Sequence, residues 1–381
     1  MDQVPRNEGT IRRIRSDLTA PRPGGGFFIG PLALVNSGIL RLECARFQPT
    51  SSELDPTVQL TRITGPIQDD LDRVERTIAS SLRTDNLFIR QMVEYLAHGS
   101  GKRLRPAMAI LSAKAFGEVG EPVIALAASI EMLHVATLIH DDIIDNSQVR
   151  RKQKTLNFKW GNEISVLMGD YVFASSFYLM AQNLPKDVLE TLSDTTNIIC
   201  RGEISETFHR FNPDLTEDQY FEVVREKTAS LIAAACQTGA MLAGADGKIV
   251  DALYRFGLGI GMAFQVIDDA LDYEGQKDLV GKPVLTDFKE GKLTLPVLHL
   301  MKSCKTAEQK KIRAWILKKV KSAADLKGLT GLLAKYGSVE YSRRRAEGFA
   351  TEATQALAVL NGNPLKKDLL QFAEFFVRRD Y

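Results

Sequence analysis

Ala136-Thr137-Leu138-Ile139-His140-Asp141-Asp142-Ile143-Ile144-Asp145 is an apolar stretch ending in Asp-Asp-x-x-Asp, and Ala263-Phe264-Gln265-Val266-Ile267-Asp268-Asp269-Ala270-Leu271-Asp272 repeats that ending later in the chain. In a helix, residues four apart share a face with Cβ atoms roughly 6 Å apart, so Asp141 sits under Asp145 and Asp268 under Asp272. Each cluster thus presents two carboxylates to one object. With 25 aspartates in 381 residues, chance supplies about a tenth of one such motif per chain. Asp is a poor helix-interior residue and negative charge is unfavourable at a helix C-terminus, so a solvated helix face does not account for three in one turn. If the two ends face each other, up to six carboxylates converge, and a like-charge pair roughly 4 Å apart costs about 4 kcal/mol at an effective dielectric of about 20. Divalent cations relieve such repulsion. Hard oxygen ligands with room left for water suit Mg²⁺, which is commonly shared between one or two carboxylates and a substrate phosphate. The pattern therefore predicts Mg²⁺ and a phosphate or diphosphate ligand.

Outward from these two helices the apolar period is helical almost throughout, over residues 69–82, 86–98, 106–116, 122–145, 163–183, 188–211, 216–243, 248–273 and 293–301, with amphipathic stretches to the C-terminus. Strand-like alternation is nearly absent. Residues 231–245 are dense in Ala and Gly, which predicts closely packed helices. The expected fold is all-α, a single large helical bundle around a deep apolar cavity. Residues 1–62, rich in Gly, Pro, Ser and Thr and including Pro21-Arg22-Pro23-Gly24-Gly25-Gly26, read as a flexible N-terminal extension ahead of a folded domain over 63–381.

Composition narrows the partners. A net charge of +2 offers no polyanion-binding surface, so no nucleic-acid partner is expected. Cys44, Cys200, Cys236 and Cys304 lack metal-ligand spacing and fit a reducing compartment without disulfides. No apolar run reads as a membrane span; the stretch from Phe27 to Leu40 is interrupted by Gly30, Pro31, Asn36 and Gly38. A cytoplasmic location is expected. The alternative is an organelle after removal of a targeting segment containing Arg12, Arg13, Arg15 and Arg22, against which Asp2, Glu8 and Asp17 weigh.

Two basic groups flank the acidic ones. Gly101-Lys102-Arg103-Leu104-Arg105-Pro106 places three cations before a helix that starts at proline, and helix N-termini favour anions. Taken alone it equally describes a solvated turn. Arg150-Arg151-Lys152 lies just past the first Asp cluster, where a phosphate held by Mg²⁺ needs cations on its other oxygens. Lys227-Thr228, Lys282 and Lys292 are isolated and individually uninformative, and His134 alone reads as a core histidine.

Together these residues resemble the trans-isoprenyl diphosphate synthases, and within them the long-chain octaprenyl and solanesyl type that makes quinone side chains. The resemblance covers residues 66–381 and rests on Gly-Lys-Arg-Leu-Arg-Pro, Glu-Met-Leu-His at His134, Leu-Ile-His-Asp-Asp-Ile-Ile-Asp, Arg150-Arg151, Met168-Gly169-Asp170, Gly202-Glu203, Lys227-Thr228-Ala229, Phe264-Gln265-Val266-Ile267-Asp268-Asp269 and Glu290-Gly291-Lys292-Leu293-Thr294-Leu295-Pro296, in matching order and spacing. It implies the isoprenoid synthase fold and a homodimer. It implies that Lys102, Arg105, His134 and Arg151 hold the diphosphate of isopentenyl diphosphate. Asp141, Asp145 and Asp268 would bind Mg²⁺ against an allylic diphosphate. Arg150, Lys227, Lys282 and Lys292 would neutralise that leaving group, with Thr228 and Gln265 lining the site; Asp141, Asp145, Asp268 and Lys227 form the implied catalytic set. Ionisation to an allylic cation, attack by the double bond of isopentenyl diphosphate and loss of a proton would follow.

Product length is argued from sterics. Ascending the helix from Asp141, Thr137 and Ala136 would floor the cavity, with Leu133 and Met132 about one turn of roughly 5 Å higher, comparable to one isoprene unit. Short-chain members of the family tend to carry an aromatic there, so small residues imply a long product. The chain departs from the family at Ser100, Lys152, Glu206 and Leu285-Thr286, where glycine, glycine, glutamine and a smaller or acidic residue are usual. The rival readings are a geranylgeranyl-type short-chain synthase, a non-catalytic regulatory subunit, which typically lacks one Asp cluster, and a terpene cyclase, whose second metal motif mixes Asn, Ser or Thr with acids.

Overall fold

In the computed structural model the described residues are 56–98, 101–274, 285–363 and 366–377; residues 1–55, holding most of the expected extension, and Lys282 lie outside them. The helices run α1 (Pro56–Thr64), α2 (Gln68–Ser81), α3 (Leu87–His98), α4 (Leu104–Lys114), α5 (Glu121–Ile144), α6 (Leu156–Trp160), α7 (Asn162–Asn183), α8 (Lys186–Phe208) and α9 (Glu217–Val224). They continue as α10 (Ser230–Leu242), α11 (Gly247–Glu274), α12 (Thr286–Glu290), α13 (Leu295–Ser303), α14 (Thr306–Ile316), α15 (Ala323–Lys335), α16 (Ser338–Ala356) and α17 (Lys366–Val377). Among the described residues the first helix begins at Pro56, inside the span expected as an extension.

Helix α5 begins with Pro122 in its first turn, where a missing N–H leaves no bond unmade. Residues 123–133 are all buried, because α2, α4, α7 and α10 surround the helix. Each Leu or Ile so buried contributes about 1.5–3 kcal/mol. Helix α11 lies between α10 and α16 on small residues: a Cβ on Gly257 would stand 2.7 Å from Ile232 O, and one on Gly259 would stand 2.8 Å from Ala353 Cβ. The Ala- and Gly-dense residues pack as their composition suggests.

One sequence reading is corrected here. Helices α5, α7 and α11 are each long and apolar enough, by length and composition, to cross a membrane. A helix walled in by other helices is apolar on all sides, which is also the composition of a span; in α5, 72% of the relevant window is buried inside the bundle.

Three local departures bear on the site. The stretch expected as one helix over 216–243 carries a π-turn at Arg225–Ala229 between α9 and α10. Val149–Arg150 and Gln153–Lys154 pair antiparallel as a hairpin that the helical period did not show. Its turn residues Arg151 and Lys152 have φ of 51° and 65°, the twist of a type I′ turn that favours glycine, and Lys152 occupies one of these positions. Helix α4 starts at Leu104, two residues before the expected proline, after Arg103 in the left-handed region at φ 50°.

Candidate active site

The C-terminal ends of α5 and α11 open onto one cavity of about 1300 Å³, and every ligand expected from the sequence, apart from Lys282, lines it. Leu138, Ile199, Val224 and Phe264 supply apolar wall. The aspartates of the two motifs differ in burial. Asp142 is buried and accepts from Arg150 Nε at 2.8 Å. Asp269 is buried and accepts from Tyr220 Oη at 2.6 Å and Gln265 Nε2 at 2.8 Å. Asp272 receives the backbone N–H groups of Thr286 and Asp287, both at 3.1 Å, which seats the start of α12. Asp141 and Asp145 are half-buried and Asp268 is exposed, all on the cavity.

Lys227 sits in the π-turn, where local widening of a helix frequently marks a functional site. The turn closes on α8 only because residue 202 is glycine: a Cβ there would stand 2.6 Å from the Lys227 backbone N. Lys227 Nζ is 2.5 Å from Glu203, 2.7 Å from Glu206 and 3.9 Å from Asp141. Burial opposes its charge, but Glu206, Asp141 and Glu203 outweigh burial and hold its pKa above that of an ordinary lysine. Burial pushes Asp141 up to about 7, against Lys227 and with help from Glu203 and Asp145. Burial also acts on Asp145, but Lys292 and Arg210 hold it below its ordinary value. Of the pair on α5, Asp141 is therefore the carboxylate in greater need of a further positive charge. A hydrogen-bond chain joins the π-turn to the second motif: Thr228 Oγ1 donates to Gln265 Oε1 at 2.9 Å, and Gln265 donates on to Asp269.

On the basic side, Arg151 lies over Gly101, where a Cβ would stand 2.7 Å from its Nη1, so the two cationic loops meet. His134 is neutral: burial, then Arg105, Arg151, Arg150 and Arg103, drive its pKa well below the usual histidine range. It can offer a hydrogen bond but no charge. Arg103 is spent on the scaffold, pairing with Glu75 and with Glu131 Oε1, the latter at 2.6 Å.

The chain-length positions separate. Thr137 lines the cavity. Ala136 is buried in an apolar cluster with Met132, Ile139, Met168 and Val172, and Leu133 is buried in the main core. Sequence reasoning gave no role to Glu203, Tyr220 or Arg210. Arg210 Nη2 reaches Asp145 Oδ1 at 2.5 Å from the loop after α8. A single arginine among Phe208-His209-Arg210-Phe211-Asn212 carries no pattern, so only the fold reveals it.

A family model described as polyprenyl synthetase matches residues 86–333. The chain belongs to the polyprenyl synthetase family. It is an enzyme, a prenyltransferase with the isoprenoid synthase fold. The octaprenyl diphosphate synthase of Escherichia coli (strain K12) is 37% identical over 323 residues, covering 85% of this chain and 100% of that one. A crystal structure of a decaprenyl diphosphate synthase from Rhodobacter capsulatus superposes with a TM-score of 0.80 at 36% identity, covering 84% of this chain and 99% of its own. A polyprenyl synthase from Caulobacter crescentus CB15, complexed with calcium and isoprenyl diphosphate, superposes with a TM-score of 0.80 at 34% identity over 87% of this chain and 100% of its own.

Proposed function

We propose that this prenyltransferase condenses isopentenyl diphosphate with an allylic diphosphate, as a trans-polyprenyl diphosphate synthase with a long all-trans product destined for a quinone side chain. The observation that carries the reading is the convergence of two Asp-rich helix ends, a buried lysine and two cationic loops on one cavity with an apolar wall. The naming of its relatives for octaprenyl and decaprenyl diphosphates supports the long product.

Among the described residues no three His, Cys, Asp or Glu side chains are close enough to hold a metal by themselves. Mg²⁺ shared with a diphosphate needs only one or two carboxylates per ion, and a carboxylate raised to about 7 beside Lys227 fits that demand. Asp141, Asp145 and Asp268 would hold it. When bound, it neutralises charge on the leaving diphosphate. Lys227, Lys292 and Arg150 add fixed positive charge on the same leaving group as its bond to the allylic carbon breaks. Lys102, Arg105 and Arg151 bind the second diphosphate and neutral His134 donates a hydrogen bond to it, so the double bond of isopentenyl diphosphate is aimed at the allylic cation before the proton is lost. Thr137, Leu138 and Phe264 take the growing tail. The 1–55 segment belongs to the proposed extension.

Homodimerisation is supported by α7 and α8, which expose Leu167 (63%), Tyr178 (67%) and Phe208 (80%). Free thiols at Cys200, Cys236 and Cys304 fit a cytoplasmic enzyme. The decisive experiment incubates the purified chain with Mg²⁺, isopentenyl diphosphate and farnesyl diphosphate and sizes the products by chromatography. A ladder ending well beyond geranylgeranyl length is expected. A product stopping at that length assigns the short-chain activity, and no product points to a regulatory subunit.

A further inference from the structure

The geometry points to Arg210 and Phe211, in the loop after α8, as positioning residues for the allylic-diphosphate side of the site, an inference that rests on the synthase reading above. Arg210 Nη2 donates to Asp145 Oδ1 at 2.5 Å while Lys292 Nζ donates to Oδ2 at 2.8 Å. Each oxygen of one carboxylate is thus held by a cation from a different loop, which fixes both its direction and its plane. The side chains of Arg210, Asp145 and Lys292 are 18%, 13% and 13% exposed, a burial at which charge-assisted hydrogen bonds hold far better than a solvated pair. Arg210 Nε is buried without a hydrogen bond. Asp145 and Lys292 line the cavity and Arg210 is not among the lining residues, so Arg210 acts through Asp145.

Phe211 couples the two loops. At φ 60° its N–H donates to Gly291 O at 2.8 Å. Its ring lies on Gly291, where a Cβ would stand 2.6 Å from three ring atoms, and Gly291 itself has φ 85°. Only glycine satisfies both conditions in the residue that precedes Lys292. Lys321 Nζ, 4.9 Å from the rings of both Phe211 and Phe288, closes the junction from the α14–α15 turn. Arg210 and Lys292 are therefore delivered to Asp145 as one unit.

The test uses the full chain and the variants Arg210→Met, Arg210→Lys and Phe211→Leu. It measures KM for the allylic diphosphate and for isopentenyl diphosphate, kcat, melting temperature, and the Kd of inorganic diphosphate by calorimetry in Mn²⁺. Arg210→Met raises the allylic KM and the inorganic-diphosphate Kd by about tenfold, while the KM for isopentenyl diphosphate stays within about twofold. Arg210→Lys recovers most of that loss, and Phe211→Leu shifts the allylic KM in the same direction. If the two KM values rise together, or only kcat and melting temperature fall, the loop is mere packing and the inference is overturned. A wild-type chain that binds inorganic diphosphate but makes no prenyl product overturns the synthase reading instead, and the calorimetric comparison still decides the role of Arg210.

Discussion

Asp142, Asp269 and Asp272 have their carboxylates bound to Arg150, to Tyr220 with Gln265, and to the backbone of α12. Helical spacing in the sequence could show that each motif offers two carboxylates to one face, and it places Gln265 one turn from Asp269; it could not show Tyr220, 49 residues away, or the backbone of α12 as partners. The ranking of Asp141, Asp145 and Asp268 above their neighbours rested on family resemblance, and hydrogen bonding does not by itself reproduce it, because Asp145 is held by Arg210 and Lys292. Asp268→Ala or Asp141→Ala is expected to cut product formation about a hundredfold or more with Mg²⁺ present, at an unchanged helical circular-dichroism spectrum. Turnover at the wild-type rate in either variant would remove the carboxylates from the chemistry. For product length the structure divides what the sequence grouped. Thr137→Phe puts a ring into the cavity wall and is expected to shorten the product with little change in melting temperature. Ala136→Phe is expected to shorten it too, but must first enlarge a packed cluster, at a cost of about 1–3 kcal/mol. Chromatography of both products beside both melting curves separates the effects, and a Thr137→Phe enzyme with the wild-type ladder would clear Thr137 of any role.

Helix positions along the chain were legible because apolar period and Pro or capping signals agreed, as at Thr216 and Gln219, where both hydrogen bonds of a capping box are present. The π-turn was not legible. It arises where Gly202 admits the Lys227 backbone and Gly261 meets Ala229, a contact between elements that no local period encodes. The hairpin escaped for the opposite reason: four paired residues are too short for alternation to register. Helix α15 carries a test of capping and charge together. Ser322 and Asp325 form a capping box, and Asp325 also accepts from Lys318 Nζ at 2.9 Å and 3.0 Å. The Lys318 hydrogen bonds, then the Ser322 backbone, hold the Asp325 carboxyl down at about 2, against about 3.9 for a free aspartate. A carboxyl depressed on folding stabilises fully above its unfolded pKa, and the contribution fades as pH falls through the folded one. Asp325→Asn is therefore expected to melt below the wild type at pH 6, with the gap closing as pH approaches 2. A gap that persists unchanged at the acid end would assign the effect to capping alone.

At the scale of the molecule, an all-α bundle around a cavity was readable because almost every apolar residue recurred at helical spacing. What that pattern could not tell apart was a helix buried by its own bundle from one facing outward. Helix α5 is 72% buried over its most apolar window, α7 only 39%. Val166, Leu167 and Tyr178 of α7 are exposed, as is Phe208 of α8, large apolar side chains that a lone chain would keep in contact with water. Burying such a face returns about 25 cal/mol for each Å² of apolar surface, and a specific interface needs on the order of 1,000 Å² or more. We propose that a second copy of the chain supplies that area through a two-fold axis. The wild-type chain is expected to sediment as a dimer at micromolar concentration. Leu167→Asp combined with Phe208→Asp places charge on the apolar face without touching the cavity's acidic or basic ligands, and is expected to sediment as a monomer with its helical content retained. A double variant that stays dimeric would move the interface elsewhere, and a monomeric wild type would leave the exposed apolar face of α7 and α8 to a different partner.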